Sequence, residues 1–117
     1  MTTSDKGINL IKRYEKLKLV PYLCPANIPT IGYGNTYYED GSKVKMTDKP
    51  ITKERAESLF YITLFGFEMA INKYVTSKIN QNQFDALVSF TYNVGVMNFR
   101  ASTLLKKVNL NQFDKDI

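Results

Sequence analysis

A segment rich in proline and glycine separates two stretches of helical periodicity in this 117-residue chain. Before the segment, Ile8, Ile11 and Tyr14 recur at helical spacing. Residues 22–46 then break into short runs that are typical of small strands and turns. The residues that punctuate these runs are Pro25, Pro29, Gly32, Gly34 and Gly41. We therefore predict a first helix that Pro21 ends, because proline cannot continue the hydrogen-bond ladder, followed by a small β region.

The rest of the chain has helical patterning. Thr52 is a cap for a long helix, whose predicted buried stripe is Ala56, Leu59, Phe60, Phe67, Ile71 and Tyr74. A second helix is predicted from Gln81, and Gly95 is placed to end it in a left-handed conformation. Its predicted apolar side is Phe84, Leu87, Val88, Thr91 and Tyr92. A further helix is predicted over 102–108, and residues 111–114 look like the start of another.

These elements predict an α+β fold that is mainly helical with a small N-terminal β lobe. The length of the chain suits a single domain over 1–117. Residues 1–50 would form the first helix and the β lobe, and residues 51–117 the helical lobe. No run of residues is long and apolar enough to span a membrane, so we expect no stable membrane insertion. The polar start of the chain has no apolar core of a secretory signal.

Composition excludes several kinds of chemistry. The chain has no histidine and one cysteine, Cys24, so histidine-dependent triads, HExxH zinc sites and an internal disulfide are ruled out. We expect no metal and no organic cofactor. A net charge of +5 favours an anionic partner. Nucleic acid is not expected, because no sequence signature of RNA or DNA binding appears.

Two residues could carry chemistry by their own properties. Glu15 lies in the last turn of the first predicted helix, where the helix dipole disfavours a negative charge and burial would raise the pKa further. A general acid needs such a raised pKa, although a solvated surface glutamate is the commoner case. Cys24 alone is more typical of a small buried apolar residue than of a catalyst.

The spacing of these residues matches a known signature. Eight residues separate Glu15 from Cys24, five separate Cys24 from Thr30, and Thr30 opens the run TIGYG. This arrangement resembles the active-site signature of phage endolysins of glycoside hydrolase family 24, in which the middle position is Asp or Cys. Residues 81–95 are similar to the central helix of that family, and residues 99–107 to the helix after it.

The resemblance implies an N-acetylmuramidase with a lysozyme-like fold, which cuts the β-1,4 bond between N-acetylmuramic acid and N-acetylglucosamine in peptidoglycan. Glu15 would protonate the leaving oxygen, and Thr30 would position the attacking water. Cys24 would line the site, either positioning water or attacking the anomeric carbon as thiolate. Implied substrate-binding residues are Thr36, Tyr92, Asn93 and Ser102.

The sequence departs from the family in two places. Asn35 stands where the family commonly reads histidine after GYG, so an ion pair made by that histidine is lost. The family's further C-terminal helices have no counterpart in this sequence. We therefore expect uncovered apolar surface that could drive self-association. The alternative function is a catalytically impaired domain that binds peptidoglycan or needs a partner to complete it. As an endolysin, the protein would be made in the host cytoplasm and released to the wall through a separate membrane lesion.

Overall fold

The computed structural model describes residues 1–110 and shows the expected mixture of helices with a small sheet. In chain order the elements are α1 (Asp5–Glu15), β1 (Lys18–Leu23), β2 (Pro29–Gly32), α2 (Lys53–Tyr74), α3 (Gln81–Val94), α4 (Val96–Arg100) and α5 (Thr103–Asn109). The predicted mainly helical α+β class is confirmed. The helix expected to start at residue 111 lies outside the described residues.

The chain forms two compact units. One unit comprises Lys12–Thr63, and the other combines Met1–Ile11 with the described part of Leu64–Ile117. The single domain over 1–117 stays a prediction. The predicted boundary between lobes at residue 50 falls inside the first of these units.

Helix α1 ends earlier than the sequence suggested. Pro21 was predicted to end it, but the helix ends at Glu15, and Pro21 is a buried residue inside strand β1. The helix stops there because the next residue, Lys16, adopts a left-handed conformation with φ 61°. Its N–H still donates to the Lys12 carbonyl at 3.0 Å. A left-handed residue after the last turn is a common helix stop, usually filled by glycine.

Strands β1 and β2 form an antiparallel hairpin with a three-residue loop at residues 25–27. The register pairs Tyr22 with Thr30 and Leu23 with Pro29. The Cys24 N–H donates to the Ile28 carbonyl at 3.1 Å, and the Asn27 N–H donates to the Cys24 carbonyl at 2.8 Å. Asn27 has φ 63°, which completes the usual geometry of such a loop, a turn followed by a left-handed residue.

A second tight turn follows at Gly32 and Gly34, as the sequence suggested. Both glycines have positive φ, at 70° and 79°. Ile31 and Asn35 exchange two backbone hydrogen bonds of 2.8 Å across the turn. A Cβ atom on Gly32 would lie 3.1 Å from Oδ1 of Asn35, so the turn favours glycine for space as well as for conformation.

Two carboxylates hold the segment that precedes α1. Both belong to the same unit as that segment, the one that begins at Met1. Glu68 accepts hydrogen bonds of 2.6 Å from both the N–H and the hydroxyl of Thr3. Asp85 accepts from the N–H of Ser4 at 3.0 Å and from its hydroxyl. Ser4 in turn accepts from the Gly7 N–H at 3.1 Å, as a helix cap does. Negative charge at the start of α1 complements the helix dipole.

The downstream helices largely follow their predicted faces. Thr52 caps α2 by accepting from the Arg55 N–H at 3.1 Å. Of the two predicted stripes, the fully buried members are Ala56, Leu59, Phe60, Ile71, Phe84, Leu87, Val88 and Thr91. Phe67, Tyr74 and Tyr92 are half-buried. Gly95 ends α3 as predicted, but its φ of 86° and ψ of 161° are not the left-handed helical values expected. Helix α4 was not predicted.

Candidate active site

Glu15 is the last residue of α1 and is half-buried. Burial raises the pKa of its carboxyl above the ordinary value. The negative end of the helix dipole acts in the same direction, because it also disfavours the charged form. A carboxyl in such a place keeps its proton to a higher pH than a solvated glutamate does, and this is a requirement for a general acid.

Tyr22, Cys24 and Thr30 lie on one face of the hairpin. Tyr22 is on β1 and Cys24 directly follows the strand, where its N–H still pairs with the Ile28 carbonyl. Side chains two residues apart in extended chain point to the same side. Thr30 is paired directly with Tyr22. Burial raises the pKa of Tyr22, and the negative charges of Glu15 and Cys24 raise it further. The structure therefore brings the three residues of the sequence signature close to one tyrosine.

Hydrogen bonds favour the thiolate form of Cys24. The backbone N–H of Ile28 holds the pKa of this thiol below its ordinary value, and the Thr30 hydroxyl and the N–H of Ala26 act in the same direction. Thr30 is buried, with 2% of its surface exposed, and its hydroxyl donates to the Ile28 carbonyl at 2.8 Å. A hydroxyl has one proton, so Thr30 serves either that carbonyl or the thiolate and keeps lone pairs for another donor.

Comparison with known proteins assigns the chain to a family. The family model described as Phage lysozyme matches residues 12–116, which include Glu15, Cys24 and Thr30. The chain belongs to the phage lysozyme family.

Relatives of this phage lysozyme family member are similar over nearly its whole length. The endolysin of Acyrthosiphon pisum secondary endosymbiont phage 1 is 38% identical over 113 residues, covering 97% of this chain and 73% of the relative. The endolysin of Salmonella phage P22 is 39% identical over 113 residues, with 97% and 77% covered. A solved structure, the endolysin from Escherichia coli O157:H7 phage FAHEc1, matches with a TM-score of 0.83 at 42% identity, covering 95% of this chain and 69% of that one. The predicted lysozyme-like fold is confirmed.

Tyr22 was missed in the sequence. It carries no motif, and only the register of the hairpin puts it opposite Thr30 and beside Glu15 and Cys24. The alternation of a strand could have placed Tyr22 and Cys24 on one face, if the helix had not been extended to Pro21. The ring of Tyr22 therefore lies close to the carboxyl of Glu15.

The end of α1 is tied to the start of α2 through Glu57. Nζ of Lys12 lies 2.5 Å from Oε2 of Glu57. The hydroxyl of Tyr33, from the TIGYG run, donates to Oε1 of the same carboxylate at 3.0 Å. The Lys12 ammonium also lies about 5 Å from the ring centres of Phe60 and Tyr61. These contacts hold the last turn of α1, and with it the backbone that carries Glu15.

Asn35 has a structural role at the position of the family's histidine. It is 5% exposed. Its Nδ2 group donates to the Thr63 hydroxyl at 2.9 Å, and its Oδ1 atom accepts from the Tyr33 N–H at 3.3 Å. Both ends of the amide are therefore used, one within the turn and the other by α2, without the charge that a histidine could carry.

The four predicted substrate-binding residues lie in different surroundings. Thr36 is half-buried beside Tyr37 and Lys43. Tyr92 packs edge-on against Phe67 at 5.4 Å, and Asn93 is exposed at the end of α3. Ser102 caps α5, accepting from the Leu105 N–H at 3.0 Å. Its hydroxyl donates to the Phe99 carbonyl at 2.7 Å. Their binding of substrate stays a prediction, and Ser102 has a structural function in addition.

Within residues 1–110, no group of three or more cysteine or carboxylate side chains is arranged to hold a metal ion. No described helix is both long enough and apolar enough to cross a bilayer.

Proposed function

We propose that this phage lysozyme family member is an N-acetylmuramidase, which cuts the β-1,4 bond between N-acetylmuramic acid and N-acetylglucosamine with Glu15 as its general acid. The broader function, hydrolysis of bacterial peptidoglycan, follows from membership of the phage lysozyme family and from the relatives, which are endolysins. The chain is an endolysin that hydrolyses bacterial peptidoglycan.

One observation supports the proposed residues best. Glu15 is half-buried with a raised pKa, and it lies close enough to Tyr22 for its charge to raise the pKa of that phenol, as does the charge of Cys24. Thr30 lies across the hairpin from Tyr22. An acid, a thiol and a hydroxyl grouped around one tyrosine offer both halves of a glycoside hydrolysis, a proton for the leaving oxygen and a group to direct the nucleophile.

The reaction begins with the carboxyl of Glu15 in its protonated form. Proton transfer to the glycosidic oxygen breaks the bond to the anomeric carbon, which passes through an oxocarbenium-like state. Thr30 can accept a hydrogen bond from a water molecule while its own O–H donates to the Ile28 carbonyl. That contact orients the water for attack, and the water's proton is lost to solvent or to a nearby base.

Cys24 has two roles open to it, and the stereochemistry of the product separates them. As a thiol it helps to position the water, and one displacement inverts the anomeric carbon. As a thiolate, favoured by the Ile28 N–H, it attacks that carbon itself, and hydrolysis of the thioglycoside then retains the configuration. NMR of the first-formed anomer decides between them. Inversion supports the water-positioning role, and retention with a glycosyl adduct on Cys24 supports the nucleophile.

The proposed substrate contacts are Thr36, Tyr92, Asn93 and Ser102. The substrate is the only partner that the chemistry requires.

We also propose self-association through exposed apolar side chains, among them Leu10, Phe65 and Met97. Sedimentation velocity over a range of protein concentrations tests this self-association.

An endolysin made in the host cytoplasm would reach the wall through a membrane lesion that other proteins make.

Turnover of Glu15→Gln tests the catalytic proposal. General acid catalysis contributes about 10²–10⁴-fold, so the release of reducing sugar from purified peptidoglycan should fall by that factor. Glu54→Gln is the matched control, because Glu54 is an exposed glutamate in the first turn of α2. Equal activity in both variants would contradict the assignment of Glu15.

A further inference from the structure

Helix α2 has a row of apolar side chains on its solvent-exposed face. Ile62, Phe65 and Met69 follow one another at spacings of three and four residues, so they lie on one side of the helix. They are 54%, 63% and 57% exposed. The catalytic proposal uses none of them. A contiguous exposed apolar patch commonly marks a binding surface.

The same face of α2 is charged at its two ends. A spacing of four residues leads back from Ile62 through Ser58 to Glu54 in the first turn, and forward from Met69 to Lys73 in the last turn. These three additional residues are also exposed. We call this row the α2 stripe, which consists of Glu54, Ser58, Ile62, Phe65, Met69 and Lys73.

The charges at the ends of the α2 stripe are not neutralised within the described part of the chain. Over residues 1–110, neither Glu54 nor Lys73 forms an ion pair, whereas Glu57 in the second turn is paired with Lys12. Lys73 lies 5.5 Å from the ring centre of Tyr74, a contact that leaves its positive charge in place.

The α2 stripe is complementary to itself when two copies of the helix run antiparallel. Glu54 and Lys73 lie at equal distances of about 14 Å on either side of the middle of the stripe. Turning one helix end for end therefore places each Glu54 opposite the Lys73 of the other copy. In the same register Ile62 lies opposite Phe65, and the small residue Ser58 leaves room for Met69. A two-fold axis, the commonest symmetry of protein dimers, relates the two helices.

Other arrangements fit the α2 stripe less well. A parallel pair of helices would place like charges opposite each other. A helix that lies on a membrane surface usually has lysine and arginine along its polar side, whereas this stripe has one anion and one cation at its ends. At about 150–250 Å² for a large side chain, the exposed apolar part of the stripe would bury about 700 Å² in a pair. Stable complexes bury about 1,200–2,000 Å², so the pair should be weak and depend on protein concentration.

We propose, resting on the self-association proposed above, that α2 pairs with the α2 of a second copy in an antiparallel two-fold dimer. Ile62 and Phe65 form its centre, and Glu54 of each copy faces Lys73 of the other. No residue of the α2 stripe belongs to the proposed catalytic set.

Charge reversal tests the register of the pair. Glu54→Lys and Lys73→Glu should each weaken dimerisation about three- to thirty-fold in sedimentation equilibrium, because two attractive pairs become repulsive. The double variant has the net charge of the parent and should restore dimerisation to within about threefold. Repulsion through net charge alone predicts weakening by Glu54→Lys and strengthening by Lys73→Glu. Lys78→Glu, at an exposed position outside α2, is the control and should not weaken dimerisation.

Matched polar substitutions test the apolar centre. Phe65→Gln and Met69→Gln should each weaken dimerisation about tenfold or more, because each copy loses a buried apolar side chain. Met46→Gln changes an exposed methionine outside the α2 stripe and should leave dimerisation unchanged. Circular dichroism should show that all three variants stay folded, since the three positions are exposed.

A parent that stays monomeric at every concentration, opposite effects of the two single charge variants, or equal effects of Met69→Gln and Met46→Gln would each overturn the proposal. Binding of a monomer to phosphatidylglycerol vesicles that Phe65→Gln abolishes would overturn it too, and would assign the stripe to a membrane surface. Association that the stripe variants leave unchanged would keep self-association but place it on another surface. No substrate is needed, and Glu15→Gln should dimerise like the parent, so failure of the muramidase proposal would not affect the result.

Discussion

At the scale of single residues, Glu15 and Glu57 show how position sets the behaviour of a carboxyl. Burial at the end of α1 raises the pKa of Glu15. A hydrogen bond from Lys12 lowers the pKa of Glu57, although both glutamates belong to the same unit. The first carboxyl is suited to giving a proton away, and the second to holding a cation. The same side chain is therefore suited to proton donation in one place and to an ion pair in the other.

The raised pKa of Glu15 predicts that Glu15→Gln stabilises the folded protein. A carboxyl whose pKa is higher in the folded state contributes stability below its unfolded pKa, and loses that contribution as the pH rises through the folded value. The variant should therefore have a higher Tm than the parent at pH 7, and the difference should shrink towards pH 3.5. Glu57→Gln is the control with the opposite sign, since it should lower Tm at pH 7. A lower Tm for Glu15→Gln at pH 7 would contradict the account.

At the scale of elements, the boundary between α1 and β1 decides the geometry of the site. Residue patterning predicted α2 and α3 well, because long amphipathic helices with a cap such as Thr52 carry strong signals, but it missed the short helix α4. It misplaced the end of α1, because a left-handed lysine has no sequence signal comparable with glycine or proline. Tyr22 was missed as a site residue because the predicted helix ran on to Pro21 and concealed the start of β1. The Lys12–Glu57 pair joins residues 45 positions apart, and no local pattern encodes such a contact.

The left-handed conformation of Lys16 gives a prediction about stability. Glycine adopts positive φ without the steric cost that a side chain adds, so Lys16→Gly should stabilise the protein by about 0.5–1 kcal/mol. Urea unfolding measures the change. The control is Arg13→Gly, an exposed position inside α1, where glycine should destabilise by about 1 kcal/mol. If both glycines destabilise equally, the helix does not end at Glu15 in the manner described.

At the scale of the whole molecule, a net charge of +5 bears on the delivery of the enzyme to its substrate. Bacterial walls are polyanionic, and a basic protein gathers on such a surface through long-range attraction. Salt screens that attraction, with a screening length of about 8 Å at 0.15 M. Bond breaking within the bound complex depends on short-range contacts and is screened much less.

Raising the salt concentration should therefore act on binding more than on turnover. Between about 0.05 and 0.5 M NaCl, we expect the fraction of protein bound to intact wall to fall severalfold, while kcat at saturating substrate changes less than about twofold. Co-sedimentation with wall fragments measures the first quantity and reducing-sugar release the second. Binding that does not change with salt would show that the net charge does not bring the protein to the wall.

The central claim is that this chain cuts the glycan of peptidoglycan at N-acetylmuramic acid with the carboxyl of Glu15. The most direct test is mass spectrometry of the fragments released from purified peptidoglycan after borohydride reduction, for the parent and for Glu15→Gln. The account predicts fragments ending in reduced N-acetylmuramic acid from the parent and almost none from the variant. Fragments ending in reduced N-acetylglucosamine, or wall binding by both proteins with no sugar released by either, would contradict it.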